Sequence, residues 1–249
     1  MPKSSVPLGE FVCAVYELAV AESAQAWLTA VYGATDYDVP VLSGRRIATG
    51  HRGTADVVDG RVTGTWAAVV GAEWADGFLL TAGPNRVLVP RDAVHVEPII
   101  AADGLVDTGI GTVVASGAAI DEVLPGAPGT ALLAGATAAV VGSAAGVWRQ
   151  HVEQARTRLA IAHSGDEASD AAHVARAASD IDAARLQFTG AITEPEAGNR
   201  PFVQAIARAR AATDHLMDGS RHALDAMDPV ARRWRAVQAG CRLAARLLA

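Results

Sequence analysis

The stretch Gly60–Leu80, GRVTGTWAAVVGAEWADGFLL, constrains this chain more than any other. Arg61, Thr63 and Thr65 alternate with Val62 and Gly64, residues 66–70 run apolar, and a second apolar run opens at Phe78. Period-two alternation leading into apolar runs describes β-strands, and the Gly71–Gly77 interval supplies the link between two of them. The stretch lies between two alanine-rich helical blocks. A small sheet forming a middle layer with helices packed on both sides is therefore expected.

Further short strands are expected at Arg86–Val89 behind the turn Gly83-Pro84-Asn85, at Val94–Val96 after Pro90, and at Thr112–Ala115 after Gly109-Ile110-Gly111. Short strands at regular spacing with turn residues between them predict a small barrel or sandwich, not a parallel sheet with crossover helices. Asp59-Gly60 is a tight-hairpin dipeptide, and the turn-rich connector 36–60 has room for one or two short strands before it. The segment PGAPG at 125–129 marks where the β pattern stops.

Helical spacing governs both flanks. Phe11, Val15 and Leu18, then Ala24, Trp27, Leu28 and Val31, predict one or two helices over 8–32, with Ser23 as a cap for the second and Gly33 as its end. After Thr130 four helices are expected, the first over 130–163. It carries Gly135, Gly142 and Gly146, each costing about 1 kcal/mol relative to alanine. A neighbouring helix whose backbone approaches where no Cβ intervenes would compensate. The second covers 167–191 and ends at Thr193-Glu194-Pro195. The third starts at Pro201, a favoured first-turn position, with an apolar stripe of Phe202, Ile206, Ala209, Thr213 and Leu216, and closes at Gly219. The fourth starts near Pro229, with Val230, Trp234, Val237, Cys241 and Leu248 on one face and Arg232, Arg235, Arg242 and Arg246 on the other. That basic face is either solvated, its cations favoured toward a helix C-terminus, or a contact for phosphate or an acidic partner.

The expected fold class is α+β in three parts: partial N-terminal helices (1–35), a small middle β-barrel or sandwich (36–128) and a C-terminal four-helix up-down bundle (129–249). At 249 residues a real core is possible, and with 51% hydrophobic residues but only 5% aromatics it must come from closely packed small side chains. A formal charge of −6 argues against a nucleic-acid surface. Cys13 and Cys241 are far apart and form no metal or redox motif, which points to a reduced, cytoplasmic setting. The opening MPKSSVPLGE has one lysine and no apolar core, so no secretory leader is expected. Residues 131–147 are uncharged but rich in Ala, Gly, Ser and Thr, so a buried helix is expected there and no membrane span.

The common catalytic motifs are absent. There is no GxxxxGK[ST] loop, no strand-linked GxGxxG, no HExxH and no GxSxG elbow. His151, His163 and His173 show no ligand spacing, and His215 and His222 stand seven apart, so no metal site is expected.

Four segments in order carry a family resemblance: AESAQAWLTAVYG (21–33), DGRVTGTWAAVVGAEWADGFLL (59–80), DTGIGTVVASGAAIDEVLP (107–125) and DPVARRWRAVQAG (228–240). Together they resemble the acyl-CoA dehydrogenase superfamily, which includes the related flavin-dependent monooxygenases. The resemblance implies an N-terminal helical domain, a middle β domain and a C-terminal bundle, with FAD between the last two and reaching a neighbouring subunit. Roughly the first hundred residues of a usual member have no counterpart here.

The resemblance also assigns candidate residues. Trp66 stands at the position typical of the monooxygenase branch, and Ala68, Val69 and Val70 match a strand end whose Ser or Thr contacts the flavin; valine has no hydroxyl to offer. Arg158, with Arg156 beside it, matches an arginine that reaches a neighbour's FAD pyrophosphate. Met227 occupies the position of a dehydrogenase's catalytic carboxylate, leaving Asp225 and Asp228 as candidates, although Asp228 before Pro229 is also an ordinary helix start. Where the monooxygenase branch has Arg-Asp and a later histidine, this chain has Arg235-Ala236 and Arg242. Dehydrogenation needs base and flavin together at the substrate. The resemblance, with these gaps, implies a degenerate subunit of a FAD-dependent acyl-CoA dehydrogenase of fatty-acid or steroid degradation, acting on acyl-CoA and completed by a longer homologous chain. The alternatives are a self-sufficient FAD-dependent dehydrogenase or flavin monooxygenase-like oxidoreductase, homo-oligomeric, and a structural protein that has lost its flavin.

Overall fold

The computed structural model describes residues 6–99, 104–126, 129–161, 167–194, 198–218 and 227–248. Among them, helix packing is organised by one apolar rod. The helices are α1 (Leu8–Ala21), α2 (Ser23–Asp38), α3 (Thr130–Ile161), α4 (Glu167–Thr193), α5 (Arg200–Met217) and α6 (Pro229–Leu248). The other five all pack against α3 or against its immediate neighbours. A helix apolar on every side must be buried on every side. The part of α3 over Thr130–Thr157 is long and apolar enough to cross a membrane, with mean hydropathy 1.6, yet 89% of that apolar stretch is buried within the fold.

The glycines of α3 show how the rod is enclosed. A Cβ on Gly142 would strike the Tyr16 carbonyl and Ala19, one on Gly146 would strike the Val20 carbonyl, and Gly135 faces Ala30. The close neighbours are therefore α1 and α2, not another bundle helix. Arg233 of α6 then donates to the carbonyls of Val20 at 3.0 Å and Ala21 at 2.9 Å, satisfying groups that the end of α1 leaves unpaired.

Direction alternates along α3 to α6. Gly240 packs by Val140 and Gly146 by Arg233, Arg208 meets Asp180, and Trp234 and Gln238 both reach Asp214. The expected apolar stripe on α5 is buried in full. On α6 Val230, Val237 and Cys241 are buried, Trp234 and Leu248 are half-buried, and Arg232, Arg242 and Arg246 point away from that buried face.

Two local expectations are corrected. Gly33 does not end the second helix, which continues to Asp38; a side chain there would strike the Phe11 ring, so the glycine serves packing. Ser23 is not a cap but the first helical residue, and its hydroxyl accepts from Ser143 at 2.9 Å.

The β unit holds β1 (Ile47–Gly50), β2 (Gly53–Val58), β3 (Arg61–Val69), β4 (Gly77–Ala82), β5 (Asn85–Pro90), β6 (Val94–Pro98), β7 (Gly111–Ala119) and β8 (Glu122–Pro125). Asp59 and Gly60 have φ of 49° and 72°, the turn that a two-residue hairpin between Val58 and Arg61 requires. The sheets run β1-β4-β5-β8 and β2-β3-β7-β6, antiparallel except for β1 on β4. Strands β3 and β4 therefore belong to opposite sheets, and the 71–77 link crosses between them. The expected barrel or sandwich is a sandwich, in which Val62, Trp66 and Val69 from one sheet and Phe78, Leu80, Val87 and Val89 from the other bury one another; it is not the middle layer with helices on both sides that the flanking helical blocks suggested.

The helices meet the sandwich along one side, through α2 and β1. Tyr32 of α2 donates its hydroxyl to the Gly71 carbonyl at 2.6 Å, and burial pushes its pKa up to about 12. Gly71 has φ 75°, and a side chain there would strike the same hydroxyl. Tyr32→Phe should cost about 1 kcal/mol, the net worth of one such bond, measured as a shift of the urea midpoint; no shift would show that the bond carries no weight at this junction.

Candidate functional site

A cleft lies where the sandwich meets the bundle. Its β side consists of Thr49, His51 and Arg52 at the end of β1, with Ala67, Ala68 and Val70 at the end of β3. Its helical side is Trp27 and Val31 of α2, Leu132 in the first turn of α3, and Leu243, Arg246 and Leu247 in the last turns of α6. The antiparallel pairing of α3 with α6 brings a helix start and a helix end to one place.

The β3 wall is irregular. Trp66 pairs with Val113 but Val69 pairs with Gly111, so β3 carries one extra residue over this interval. Such a bulge kinks a strand and re-aims the residues beyond it. Ala68 takes φ 57°, a left-handed conformation that costs a non-glycine residue about 1–2 kcal/mol. Ala68→Gly should raise stability by about 0.5–1 kcal/mol, the relief of that cost less the entropy glycine adds to the unfolded chain. Denaturant unfolding checks it, and a loss of stability would mean the alanine methyl packs usefully in the cleft.

His51 is the polar group of the wall. Neither ring nitrogen has a hydrogen-bond partner and both are out of solvent. Burial, helped by the positive charge of Arg86, pulls its pKa down to about 4, so the imidazole is neutral at physiological pH. Arg86 of β5 is itself buried, with its Nε unpartnered, and burial lowers its pKa. Asp38, the last residue of α2, lies close enough to interact with it electrostatically. The Asp38 carboxylate also accepts from the Ala131 and Leu132 amides, each at 3.2 Å, capping α3 beside the cleft. Burial raises the Asp38 pKa although those amides and Arg86 oppose it.

The donor set suits a flavin. Apolar walls from Trp27, Val31, Leu132 and Leu243 match the faces of a planar ring, His51 offers one donor and one acceptor to its polar edge, and Arg52 and Arg246 at the rim match phosphate. The space is tight: the interior of about 30 Å³ corresponds to about one water. A groove of about 580 Å³ between α5 and α6 is larger, lined by Arg210, Arg235 and Arg242. Its central carboxylate, Asp214, is already bonded to Trp234 at 2.8 Å and Gln238 at 2.7 Å.

The sequence-derived candidates are dispersed. Val70 lines the cleft. Trp66 does not; it is fully buried in the sandwich and donates its indole N–H to the Thr81 carbonyl at 2.9 Å. Arg158 lies on α3, 26 residues beyond Leu132, about 39 Å away by the helical rise, and its side chain is outside the described residues. Asp228 is the cap of α6, accepting from the Val230 amide at 2.7 Å and the Ala231 amide at 3.2 Å. It stands 15 residues from Leu243, about 22 Å along the helix. Met227 is exposed, and Asp225 lies outside the described residues. Of the basic face, Arg246 reaches the cleft while Arg235 and Arg242 line the other groove. Sequence reasoning misses His51, because it has no spacing relation to another histidine and sits in a turn-rich connector.

No family model matches the sequence. The oxygenase subunit HsaA of a flavin-dependent monooxygenase from Rhodococcus jostii (strain RHA1) is 27% identical, over 92% of this chain and 78% of that protein. The solved 3-HSA hydroxylase from Rhodococcus sp. RHA1 superposes with a TM-score of 0.80 at 25% identity, covering 93% of this chain and 77% of that one. At the level of fold alone, XiaF from Streptomyces sp. in complex with FADH2 gives 0.69 at 19% identity over 96% and 77% of the two chains. FMN-bound TdsC from Paenibacillus sp. A11-2 gives 0.73 at 18% over 95% and 80%. The fold is acyl-CoA dehydrogenase-like, and the proteins it is similar to are flavin-dependent monooxygenases.

Proposed function

We propose that this chain is the oxygenase component of a flavin-dependent monooxygenase that holds reduced flavin between β1, β3 and α6 and hydroxylates an organic substrate. The observation that carries this is the likeness to the 3-HSA hydroxylase, which extends over 93% of the chain. Reduced flavin, when bound, supplies the two electrons that let one atom of dioxygen enter the substrate while the other leaves as water. The chain's own part is to enclose and orient. Trp27, Val31, Leu132 and Leu243 exclude water, and Arg52 and Arg246 hold phosphate at the rim.

Acyl-CoA dehydrogenation fits this cleft less well. It needs a carboxylate within reach of the substrate, and no Asp or Glu is among the described residues lining it. A subunit completed by a longer homologous chain is the second reading, favoured by the narrow interior and by valine at position 70, where the resemblance implies a flavin-contacting hydroxyl.

Anaerobic titration of the purified protein with reduced FMN and with reduced FAD separates them, and also decides which flavin is used. We expect one of the two to bind, and an oxygen pulse in the presence of candidate organic substrates to place label from ¹⁸O₂ in a product. Flavin binding followed by oxygen-independent turnover of an acyl-CoA would identify a dehydrogenase. Failure of both flavins to bind the chain alone, with binding restored by a co-purified homologue, would establish the partner-completed subunit.

A further inference from the structure

Arg86 carries the charge that the fold explains least. It stands on β5 at 7% exposure, its Nε–H has no protein partner and lies out of solvent, and Asp38 acts on it across a gap instead of in a direct ion pair. Buried donors are nearly always paired, and each exception asks for a reason. Burial pushes both groups toward their neutral forms, raising the Asp38 pKa and lowering that of Arg86, so the contacts each makes do not fully replace the solvent it has lost.

Both residues line one small cavity, enclosed by the end of α2, the first turn of α3 and strands β1, β4 and β5. Its interior of about 10 Å³ is close to the minimum of about 10–15 Å³ that a single water occupies. A buried water also needs two to four polar partners, and this lining supplies them. Arg86 offers an unused donor. The Asp38 oxygens accept one amide each, from Ala131 and Leu132, and a carboxylate has about four lone-pair sites, so each oxygen can accept again. Thr35 and Thr49 add hydroxyls to the same wall.

We propose that one water molecule is a fixed part of this cavity, accepting from the Arg86 Nε–H and donating to the Asp38 carboxylate, so that a water-bridged charge pair joins the sandwich to the helices. A polar contact too long for a direct bond is commonly carried in this way. The occupant's chemistry follows from the lining. Asp38 disfavours an anion and Arg86 a cation, which leaves a neutral molecule able both to donate and to accept, and the volume limits it to water. Leu132 lines this cavity and the cleft alike, so the bridge also holds in place the α3 turn that forms the cleft wall. None of this depends on what the cleft binds, and its failure would leave the flavin reading untouched.

The test combines a crystal structure of the full chain with ¹⁷O magnetic relaxation dispersion in solution, which counts waters that stay bound longer than the protein takes to tumble. We expect one density peak about 2.6–3.2 Å from both Arg86 Nε and an Asp38 oxygen. Ala34→Val, which fills the cavity from α2 and leaves both charges in place, should remove one long-lived water from the count. A cavity without density, a direct Arg86–Asp38 ion pair closing the gap, or an unchanged count in folded Ala34→Val would overturn the proposal. If Ala34→Val does not fold, the crystal structure of the unsubstituted chain decides alone.

Discussion

Asp38→Ala is expected to lower stability by about 3 kcal/mol, the largest loss predicted for any single side chain of this protein. The carboxylate performs two tasks at one point. It accepts from the first free amides of α3, Ala131 and Leu132, and losing such a cap costs about 1 kcal/mol. It also interacts electrostatically, at longer range than a direct ion pair, with Arg86, which is buried. Stranding a buried charge costs several kcal/mol more, reduced here by whatever water the cavity left at residue 38 admits. Asp38→Asn should fall between, since an amide oxygen still caps while the charge is gone. Denaturant unfolding of the three proteins at pH 7 measures this, and equal stability of the Ala variant and the parent would show that Arg86 is held by other means.

His51 should make the protein acid-sensitive well above the carboxylate range. Its folded pKa is lowered from 6.5 to about 4, so between those values the unfolded chain takes up a proton that the folded chain refuses. Stability is therefore fully present above about pH 6.5 and lost as pH falls toward 4, by about 3 kcal/mol in all. Other groups act in the same window or beside it. The charges around the ring are Arg86 on β5, Arg52 beside it and Arg246 on α6, with Asp38 on α2 interacting through Arg86. Asp38, whose pKa is raised, favours the folded state as pH falls and so opposes the effect. Asp76, whose pKa is lowered by its bonds from Arg46, adds a loss at lower pH. The contribution of His51 is isolated by comparison: the stability of His51→Phe should be nearly flat from about pH 6.5 to about pH 4.5, where the parent's falls. Parallel profiles for the two proteins would show that the ring is accessible to protons in the folded state.

The reach of the sequence differs from residue to residue. The α5 stripe from Phe202 to Leu216 was legible because a helix of 3.6 residues per turn imposes its own period, whatever it packs on. The Asp59-Gly60 hairpin was legible because positive φ at consecutive positions selects those residues locally. The α3 glycines announced a close neighbour, since a missing Cβ is an intrinsic property. Which neighbours they were, α1 and α2 instead of another bundle helix, was not written in α3 at all.

The cleft was legible only in part. Val70 was reached through resemblance, while Trp66, four positions earlier, would share its face in a regular strand and is turned into the sandwich instead because the extra residue of the bulge lies between them. Position by position, then, the chain's own chemistry determined the helices, the short strands, the tight turns and the break at Pro125. Those depend on interactions within a few residues. Only the folded structure decided that β3 and β4 lie in different sheets, that Asp38 caps a helix 93 residues away, and that His51 stands unpaired in a cleft closed by the end of α6. Those facts depend on which surfaces meet, and apolar burial, being non-directional, leaves the choice of partner to the packing of the whole chain.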